Sequence, residues 1–439
     1  MQKPEIRPST LCMAPWTHTY ISPQCERRMC CASREPAQNF KQYIDTAQGS
    51  GEFNPMTLDE HWNSEHMKSV RKRMMFGETL EECDVCNSKL LNTDVYRSYF
   101  SHLFNHLYDD IWSQTDSSGH TTMKTISWDY RYSNICNFKC RMCGDMLSSS
   151  WESEALNNQM VNLDDPKNNW LRQDNRQLIK EFVSNTVVPE FMQSVEDQTI
   201  REIYWVGGEP LLYPQHWQAM QRIVELNYAD QVRVRYNTNL SQINYKGQNL
   251  YDILGSFRNW EICASLDGTG AIGEYVRTGL VYSDWLHNFK MGVQSQKYPG
   301  QMRIDFTLTL PGMVELENII SLADTFNVRL LCKVVFAFSP DILLSPLALP
   351  RTILDTWIDN IKMQINQKQS DSNRVVNDML DQLKQRKTFE EEWGVDHAKN
   401  ALQRGKQHLL KLESIRKDTK ITMEEILENT PARDWWHNL

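Results

Sequence analysis

The stretch "SNICNFKCRMCGD", residues 133–145, places three cysteines within eight positions. Cys136, Cys140 and Cys143 have the spacing C-x3-C-x2-C, which fits neither the C-x2-C pair of a zinc finger nor a spread disulfide framework. Iron-sulfur cubanes usually have four cysteine ligands, so a compact group of three leaves one iron open to another ligand. The alternative is a structural zinc site completed by a distant His, by Cys263 or by Cys332.

The composition of the 439-residue chain is that of a globular protein, with 40% hydrophobic and 23% charged residues. This length predicts two or three domains, and the net charge of -9 argues against nonspecific binding to nucleic acid. The amino-terminal residues do not read as a secretory signal and no run of about 18 apolar residues occurs, so we expect a cytoplasmic protein without a membrane segment. Nine of the eleven cysteines precede residue 144, and in the cytosol such thiols are metal ligands or catalytic groups rather than disulfides.

The pattern along the chain predicts four regions. Residues 1–95 are cysteine-rich and end in a helix over "LDEHWNSEHMKSVRKRMM", and residues 96–122 form a polar linker. Residues 123–345 alternate six β-rich runs with amphipathic stretches, which predicts parallel strands in βα units. Residues 346–439 form a helical extension, in which Val376, Met379, Leu380 and Leu383 define one apolar face. The six runs are "TISWDYR", "EIYWVGG", "QVRVRYNTN", "WEICASLDG", "MRIDFTLTL" and "RLLCKVVFAF".

A second motif follows the second of these runs. In "IYWVGGEPLLYP", residues 203–214, Gly207 and Gly208 precede Glu209, and two residues without side chains let a small ligand approach the backbone. Taken alone, this motif is equally compatible with a bare strand-to-helix turn. Together the two motifs resemble the radical S-adenosylmethionine (radical SAM) superfamily, which carries them after the first two strands of its barrel. The resemblance implies an α/β fold with a partial (β/α)6 TIM-like barrel.

The resemblance also implies roles for individual residues. Cys136, Cys140 and Cys143 would hold a [4Fe-4S] cluster whose remaining iron is chelated by S-adenosylmethionine. Contacts to that cofactor would come from a further set: Gly207, Gly208, Glu209, Asn239, Ser265, Asp267 and Arg277. Arg277 would pair with the methionine carboxylate, although it is also compatible with a surface ion pair, and Asp267-Gly268 with a plain turn. Met142 stands where the family commonly has an aromatic residue near the adenine.

The amino-terminal cysteines form a second pattern, with "LCMAPWTHTYISPQCERRMCC" at residues 11–31 followed by "ECDVC" at residues 82–86. This order resembles the auxiliary-cluster domains called twitch and SPASM, here placed before the barrel. The implied ligands are Cys12, Cys83, Cys86 and one of the adjacent pair Cys30 and Cys31, with Cys30 preferred. Cys25 stands where the family often has a Gly in a turn. Such a set would hold a second [4Fe-4S] cluster for electron transfer, with zinc as the alternative.

The activity implied by the resemblance is reductive cleavage of S-adenosylmethionine to a 5'-deoxyadenosyl radical, which abstracts hydrogen from a substrate. The sequence does not indicate which residue, if any, acts on the substrate directly. A peptide or protein substrate is preferred over a small molecule, and a flavodoxin or ferredoxin would be the reductive electron donor. The alternatives are a zinc-stabilised binding protein on a degenerate barrel and a conventional methyltransferase, although the chain lacks the glycine-rich loop of the latter. Lys68, Arg71, Lys72 and Arg73 are expected on a solvated helix face.

Overall fold

The computed structural model describes residues 4–35, 53–88, 96–334, 343–366, 369–417 and 419–439. The chain divides into two compact units, each made of several chain segments. The first unit contains Met1–Ile135, Glu152–Arg235 and Asp252–Trp260, and the second contains Cys136–Trp151, Tyr236–Tyr251 and Glu261–Leu439.

The described residues contain ten strands and twenty α-helices. The strands are β1 His18–Ile21, β2 Arg27–Arg28, β3 Ser127–Tyr130, β4 Glu202–Trp205, β5 Arg233–Thr238, β6 Asn244–Tyr245, β7 Gln248–Asn249, β8 Asn259–Ser265, β9 Met302–Leu308 and β10 Arg329–Val334. The helices are α1 Ala14–Thr17, α2 Leu58–Trp62, α3 Glu65–Met75, α4 Asp84–Asn87, α5 Tyr96–Leu103, α6 Tyr108–Ser113, α7 Ser149–Asn157, α8 Gln173–Phe182, α9 Val188–Glu196, α10 Pro214–Glu225, α11 Leu250–Leu254, α12 Gly270–Val276, α13 Tyr282–Ser295, α14 Leu316–Phe326, α15 Arg351–Ile365, α16 Asp371–Lys384, α17 Phe389–Trp393, α18 Val395–Ile415, α19 Met423–Leu427 and α20 Arg433–Asn438.

All six predicted β-rich runs contain strands, namely β3, β4, β5, β8, β9 and β10. In the first unit β3 pairs with β4 in parallel, and in the second unit β8 pairs with β9 and β9 with β10, also in parallel. Helices intervene between these strands along the chain, as parallel pairing requires. The α/β class is therefore confirmed, and the partial-barrel arrangement stays a prediction. The end of the sixth run, after Val334, lies outside the described residues.

The cysteine-rich segment contributes a strand of its own to the sheet of the first unit. Strand β1 pairs in parallel with β3, with His18 opposite Ser127 and Ile21 opposite Tyr130, and β2 pairs with β1 in antiparallel fashion. All four residues of β1 are buried. The sequence analysis did not anticipate this strand, because a four-residue run gives too short a pattern to identify. The predicted domain boundary at residue 95 stays a prediction.

Residues 96–122, expected to be a polar linker, contain helices α5 and α6 instead of an irregular connector throughout. Their apolar side chains Phe100, Ile111 and Trp112 belong to one buried cluster with Met13 and Trp16 near the amino terminus. Burial of these apolar groups stabilises the segment, whereas its polar portion at 113–118 is rich in Ser and gave the expectation of a linker.

The helix predicted before the second cysteine pair is divided into α2 and α3. The second helix begins after Ser64, because the Ser64 side chain accepts a hydrogen bond from the backbone N–H of Met67 and so caps the start of α3. The expectation of a solvated basic face is wrong for Arg71, which is fully buried. Its Nε donates to the carbonyl of Pro15 at 2.8 Å, and its guanidinium lies 4.9 Å from the centre of the Trp62 ring.

The carboxyl-terminal helices pack within the second unit. Helix α16 lies against β10 and contacts α14 and α15. The predicted apolar face is confirmed, since Val376, Met379, Leu380 and Leu383 are all buried. A helix on this strand covers part of its side-chain surface, which an uncovered strand would expose to water. None of the described helices is long and apolar enough to cross a membrane.

Candidate functional site

The loop that carries Cys136, Cys140 and Cys143 is anchored to the start of α7 in the second unit. The Cys136 backbone N–H donates to Ser149 Oγ at 3.2 Å, and the Cys136 carbonyl accepts from Ser150 Oγ at 2.8 Å. The Trp151 indole N–H donates to the carbonyl of Cys140 at 3.1 Å. These bonds use the backbone of Cys136 and Cys140 and so fix the course of the loop.

A second set of hydrogen bonds ties the loop to the segment after α12. The backbone N–H groups of Lys139 and Arg141 donate to the carbonyls of Thr278 and Val276, at 2.7 and 2.8 Å. The Arg141 guanidinium also lies 3.9 Å from the centre of the Tyr275 ring. The loop is therefore rigidly held on two sides before any cofactor binds.

Two polar side chains contact the thiols of this loop. Asn239 Nδ2 lies 3.9 Å from Cys136 Sγ, and Arg277 Nη1 lies 4.0 Å from Cys140 Sγ. Burial raises the pKa of the Cys140 thiol to about 12, while the Arg277 charge opposes the rise. Buried thiols of this kind ionise when a metal binds them, so the donor set fits an iron-sulfur cluster.

Arg277 is an internal cation, which excludes its interpretation as a surface ion pair. Its Nε lies 2.7 Å from Asp267 Oδ2, and the Asp267 side chain is fully buried. The other Asp267 oxygen accepts the backbone N–H of Thr307 at 2.9 Å, so this carboxylate does more than shape a turn. Ser265 ends β8 opposite Asp305 and is partly exposed. The structure thus brings Asn239, Asp267 and Arg277 to the cysteine loop within one unit; their cofactor roles stay predictions.

The glycine motif lies in the first unit, after β4. A Cβ at Gly208 would lie 2.2 Å from the carbonyl oxygen of Ile135, the residue that precedes Cys136 in the chain. The Glu209 N–H donates to the same carbonyl at 2.7 Å, and the buried Glu209 carboxylate accepts the N–H of Leu211 at 3.0 Å. Gly207 has a φ of +132°, a conformation open mainly to glycine. The glycines are therefore required by a close backbone approach between this turn and the residues before the cysteine loop.

Two of the amino-terminal cysteines, Cys12 and Cys30, are buried in one core cluster of the first unit, and Cys83 packs against that cluster. Burial raises the pKa of Cys12 to about 12, and Cys83 and Cys86 add to the rise. Burial likewise raises the pKa of Cys30, with further contributions from Cys31, Cys12 and Cys83. Thiols are the donors that iron-sulfur clusters use, so the residues present fit such a cluster. The ligand set Cys12, Cys30, Cys83 and Cys86 stays a prediction.

The other two amino-terminal cysteines have different surroundings. After burial, the groups that shift the pKa of Cys31 are Asp129, Arg131 and Tyr96. Cys25 has a φ of +64°, the left-handed conformation that a turn glycine adopts, and its Sγ lies 4.0 Å from the carbonyl of Ile179. These surroundings favour Cys30 over Cys31 and Cys25 as the fourth ligand.

A buried carboxylate that the sequence analysis missed holds the segment around Cys30. Glu35 Oε1 accepts the backbone N–H of Met29 at 2.6 Å and the Ser33 hydroxyl at 2.8 Å. Its Oε2 lies 3.1 Å from His61 Nε2 and 3.8 Å from His66 Nε2, so it joins this segment to α2 and α3. No local motif marks Glu35, because its partners lie 26 and 31 positions away along the chain.

No group of three or more His, Cys, Asp or Glu side chains in the described ranges is close enough to hold a single metal ion. Zinc needs its sulfur ligands at about 2.3 Å from the metal. For either cysteine group to hold zinc, its thiols would therefore have to move closer together.

Comparison with known proteins identifies the amino-terminal segment. The family model of the SPASM iron-sulfur cluster-binding domain matches residues 12–87. The expected resemblance to proteins with an amino-terminal SPASM-like domain is confirmed for this segment. No curated protein matches the chain in sequence.

Three solved structures are similar to parts of the chain. TYW1 with a lysine-pyruvate adduct bound is 12% identical, with 56% of this chain and 72% of that chain covered and a TM-score of 0.30. Streptococcus suis SuiB bound to precursor peptide SuiA is 13% identical, with 72% and 65% covered and a TM-score of 0.34. SuiB bound to S-adenosylmethionine is 12% identical, with 70% and 60% covered and a TM-score of 0.34. The chain thus spans less than two thirds of either SuiB structure, and these TM-scores support no conclusion about activity.

Proposed function

We propose that this chain, whose residues 12–87 match an iron-sulfur cluster-binding domain, is a radical SAM enzyme with an auxiliary cluster. The observation that carries the proposal is the loop of Cys136, Cys140 and Cys143, whose thiols lie beside the polar groups of Asn239 and Arg277. Three thiols next to polar donors fit a cluster that keeps one iron for a polar ligand.

In this proposal each residue of the loop region has a defined task. The three cysteines hold the cluster, and the hydrogen bonds to Ser149 and Trp151 keep their backbone in place. Arg277 binds the cofactor carboxylate while Asp267 fixes the direction of its guanidinium. When bound, the cluster and S-adenosylmethionine supply a reducing electron and a radical able to remove hydrogen from a substrate.

The glycine turn and the amino-terminal cysteines complete the proposed machinery. Gly207, Gly208 and Glu209 present their backbone to the amino group of the cofactor, and Asn239 and Ser265 line its cleft. The auxiliary ligands are Cys12, Cys30, Cys83 and Cys86. Four thiolates leave no iron open, which suits electron transfer rather than substrate binding. The substrate is a peptide or protein, the electron donor is a flavodoxin or ferredoxin, and the location is cytoplasmic.

The test is anaerobic reconstitution of the wild type and of a variant with Cys136, Cys140 and Cys143 all changed to Ala. Iron, sulfide and zinc per chain are measured, followed by formation of 5'-deoxyadenosine from S-adenosylmethionine with dithionite. The wild type is expected to hold about eight iron atoms and to form 5'-deoxyadenosine. The triple variant is expected to hold about four iron atoms and to form none.

Cys263→Ala is the matched control, because Cys263 is a buried thiol of β8 that the proposal leaves unused. It should keep both the iron content and the cleavage activity. One or two zinc ions per chain, little iron and no 5'-deoxyadenosine in the wild type would instead establish a zinc-stabilised protein and overturn the proposal.

A further inference from the structure

The first unit contains a cluster of ionisable side chains that neither cofactor site uses. Tyr20, Asp129 and Tyr204 are each the third residue of a parallel strand, in β1, β3 and β4 respectively. Tyr20 lies directly opposite Asp129 in the strand register, and side chains two residues apart on a strand share one face. Arg131 follows β3 on the same face as Asp129. Charged and phenolic groups thus stand together where a strand core usually presents aliphatic side chains.

Arg131 is held in one orientation. Its Nε and Nη2 each lie 3.1 Å from a different oxygen of the Asp129 carboxylate, and its guanidinium lies 4.9 Å from the centre of the Tyr20 ring. The Asp129 side chain is 1% exposed, whereas that of Arg131 is 16% exposed. Within the described part of the chain, Arg131 Nη1 has no hydrogen-bond acceptor. The exposed side of the Asp129–Arg131 pair therefore presents N–H donors of Arg131, while the Asp129 carboxylate is buried.

The position of this cluster relates it to both predicted cofactor segments. A Cβ at Gly207 would lie 3.3 Å from Arg131 Cβ, so the stem of Arg131 packs on the glycine turn. On its other side, Arg131 contacts the Tyr20 ring, and Tyr20 pairs with Arg28 of β2, two positions before the proposed auxiliary ligand Cys30. A molecule bound at Arg131 would consequently be near the glycine turn and near the segment of the auxiliary cysteines.

The chemistry of these groups selects for a carboxylate. A guanidinium oriented by a buried carboxylate offers its remaining N–H groups to a planar anion, and arginine suits such paired hydrogen bonds better than lysine. The partly exposed Tyr204, in line with Asp129 on the neighbouring strand β4, adds aromatic surface for the neighbouring atoms of a chain. A peptide with an acidic side chain combines both features.

We propose that Arg131 and Tyr204 form a substrate subsite and that it binds the carboxylate of an acidic peptide residue. This inference rests on the proposed function, of which it specifies the substrate class. Asp129 is a positioning residue, since it orients Arg131 without reaching the open side of the site.

The experiment measures binding rather than catalysis. Two fluorescein-labelled nonapeptides with amidated carboxyl termini, identical except for a central Glu or Gln, are titrated by anisotropy with saturating S-adenosylmethionine present. The wild type is expected to bind the Glu peptide about tenfold more tightly than the Gln peptide, because only the Glu carboxylate can make charge-assisted hydrogen bonds with Arg131. Arg131→Gln should abolish this preference, and Arg131→Lys should restore only part of it.

Arg222→Gln is the matched control, because Arg222 pairs with Glu196 on the exposed surface of the first unit and should leave the preference intact. If Arg131→Gln does not fold, Asp129→Asn with Arg131→Gln removes the uncompensated charge, and the same loss of preference is expected. Equal affinity for both peptides in the wild type, or an unchanged preference in the Arg131 variants, would overturn the inference. Because binding is read without turnover, either result is independent of whether S-adenosylmethionine is cleaved.

Discussion

The two cysteine groups of this protein contrast in their surroundings. In the amino-terminal group, Cys12 and Cys30 are buried in one core cluster with Met13, Met29 and Met74, and the buried Glu35 carboxylate binds the backbone of this segment at Met29. Around the loop of Cys136, Cys140 and Cys143, the side chains of Asn239 and Arg277 approach the thiols themselves. Thiols packed among apolar side chains fit a cluster with all its iron ligated by cysteine, and three thiols beside polar donors fit a cluster that binds a further ligand.

The largest effect expected from this contrast is on iron content. Changing Cys83 and Cys86 to Ala should remove about four iron atoms per chain and leave cleavage of S-adenosylmethionine in place, because the loop group keeps its own ligands. Iron analysis and 5'-deoxyadenosine formation measure the two results separately. If the double variant also loses cleavage while remaining folded by circular dichroism, the two groups are not independent sites.

The adjacent residues Cys30 and Cys31 offer a sharper test of which cysteines of the amino-terminal group bind iron. Cys30→Ala should lose most of the auxiliary iron, whereas Cys31→Ala should keep it, because Cys30 is buried in the core cluster with Cys12, against which Cys83 packs, and Cys31 lies outside that cluster. Electron paramagnetic resonance of the reduced protein, combined with iron analysis, distinguishes the two variants. The opposite result would assign the fourth ligand to Cys31.

The polar character of the loop group depends on the buried pair of Asp267 and Arg277. Arg277→Gln should lower the free energy of unfolding by about 3–5 kcal/mol, since it leaves the buried Asp267 carboxylate without its cation. Adding Asp267→Asn should recover most of that loss. Urea denaturation of the cluster-free protein measures both variants. A double variant destabilised by the sum of the effects of Arg277→Gln and Asp267→Asn alone would show that the pair is not energetically coupled.

The smallest expected effect is on the free energy of unfolding, through the Glu35 carboxylate beside the amino-terminal cysteines. Although burial opposes it, the hydrogen bond and charge of His61 lower the pKa of Glu35 below its ordinary value of 4.5. The stability that Glu35 contributes is therefore present above about pH 4.5 and lost as the pH falls through the lowered value. Glu35→Gln should cost about 1–3 kcal/mol at pH 7, and its difference from the wild type should shrink in acid.

Urea denaturation of the cluster-free protein at several pH values checks the Glu35 prediction. Glu65→Gln is the control, because its carboxylate is 92% exposed and pairs only with Lys68 at the surface. A constant difference between wild type and Glu35→Gln down to pH 3 would contradict a charged role for this carboxylate.

Local patterns in the sequence determined much of this protein. The strands at all six predicted runs follow from β-rich composition and the buried face of α16 from helical periodicity, both of which need only neighbouring residues. The C-x3-C-x2-C spacing places three thiols on one loop for the same reason. The SPASM resemblance over residues 12–87 was likewise readable from cysteine order alone.

Only the tertiary structure decided which side chains meet across long stretches of chain. Cys12 and Cys30 share a core cluster against which Cys83 packs, and Glu35 contacts His61, through contacts that no short window of sequence contains. Arg71 was wrongly predicted to be exposed, because a helix rich in charged residues is expected to face solvent when its packing partners are unknown. Periodicity reports which face of an element is apolar, whereas the packing of distant elements decides which polar groups are buried and paired.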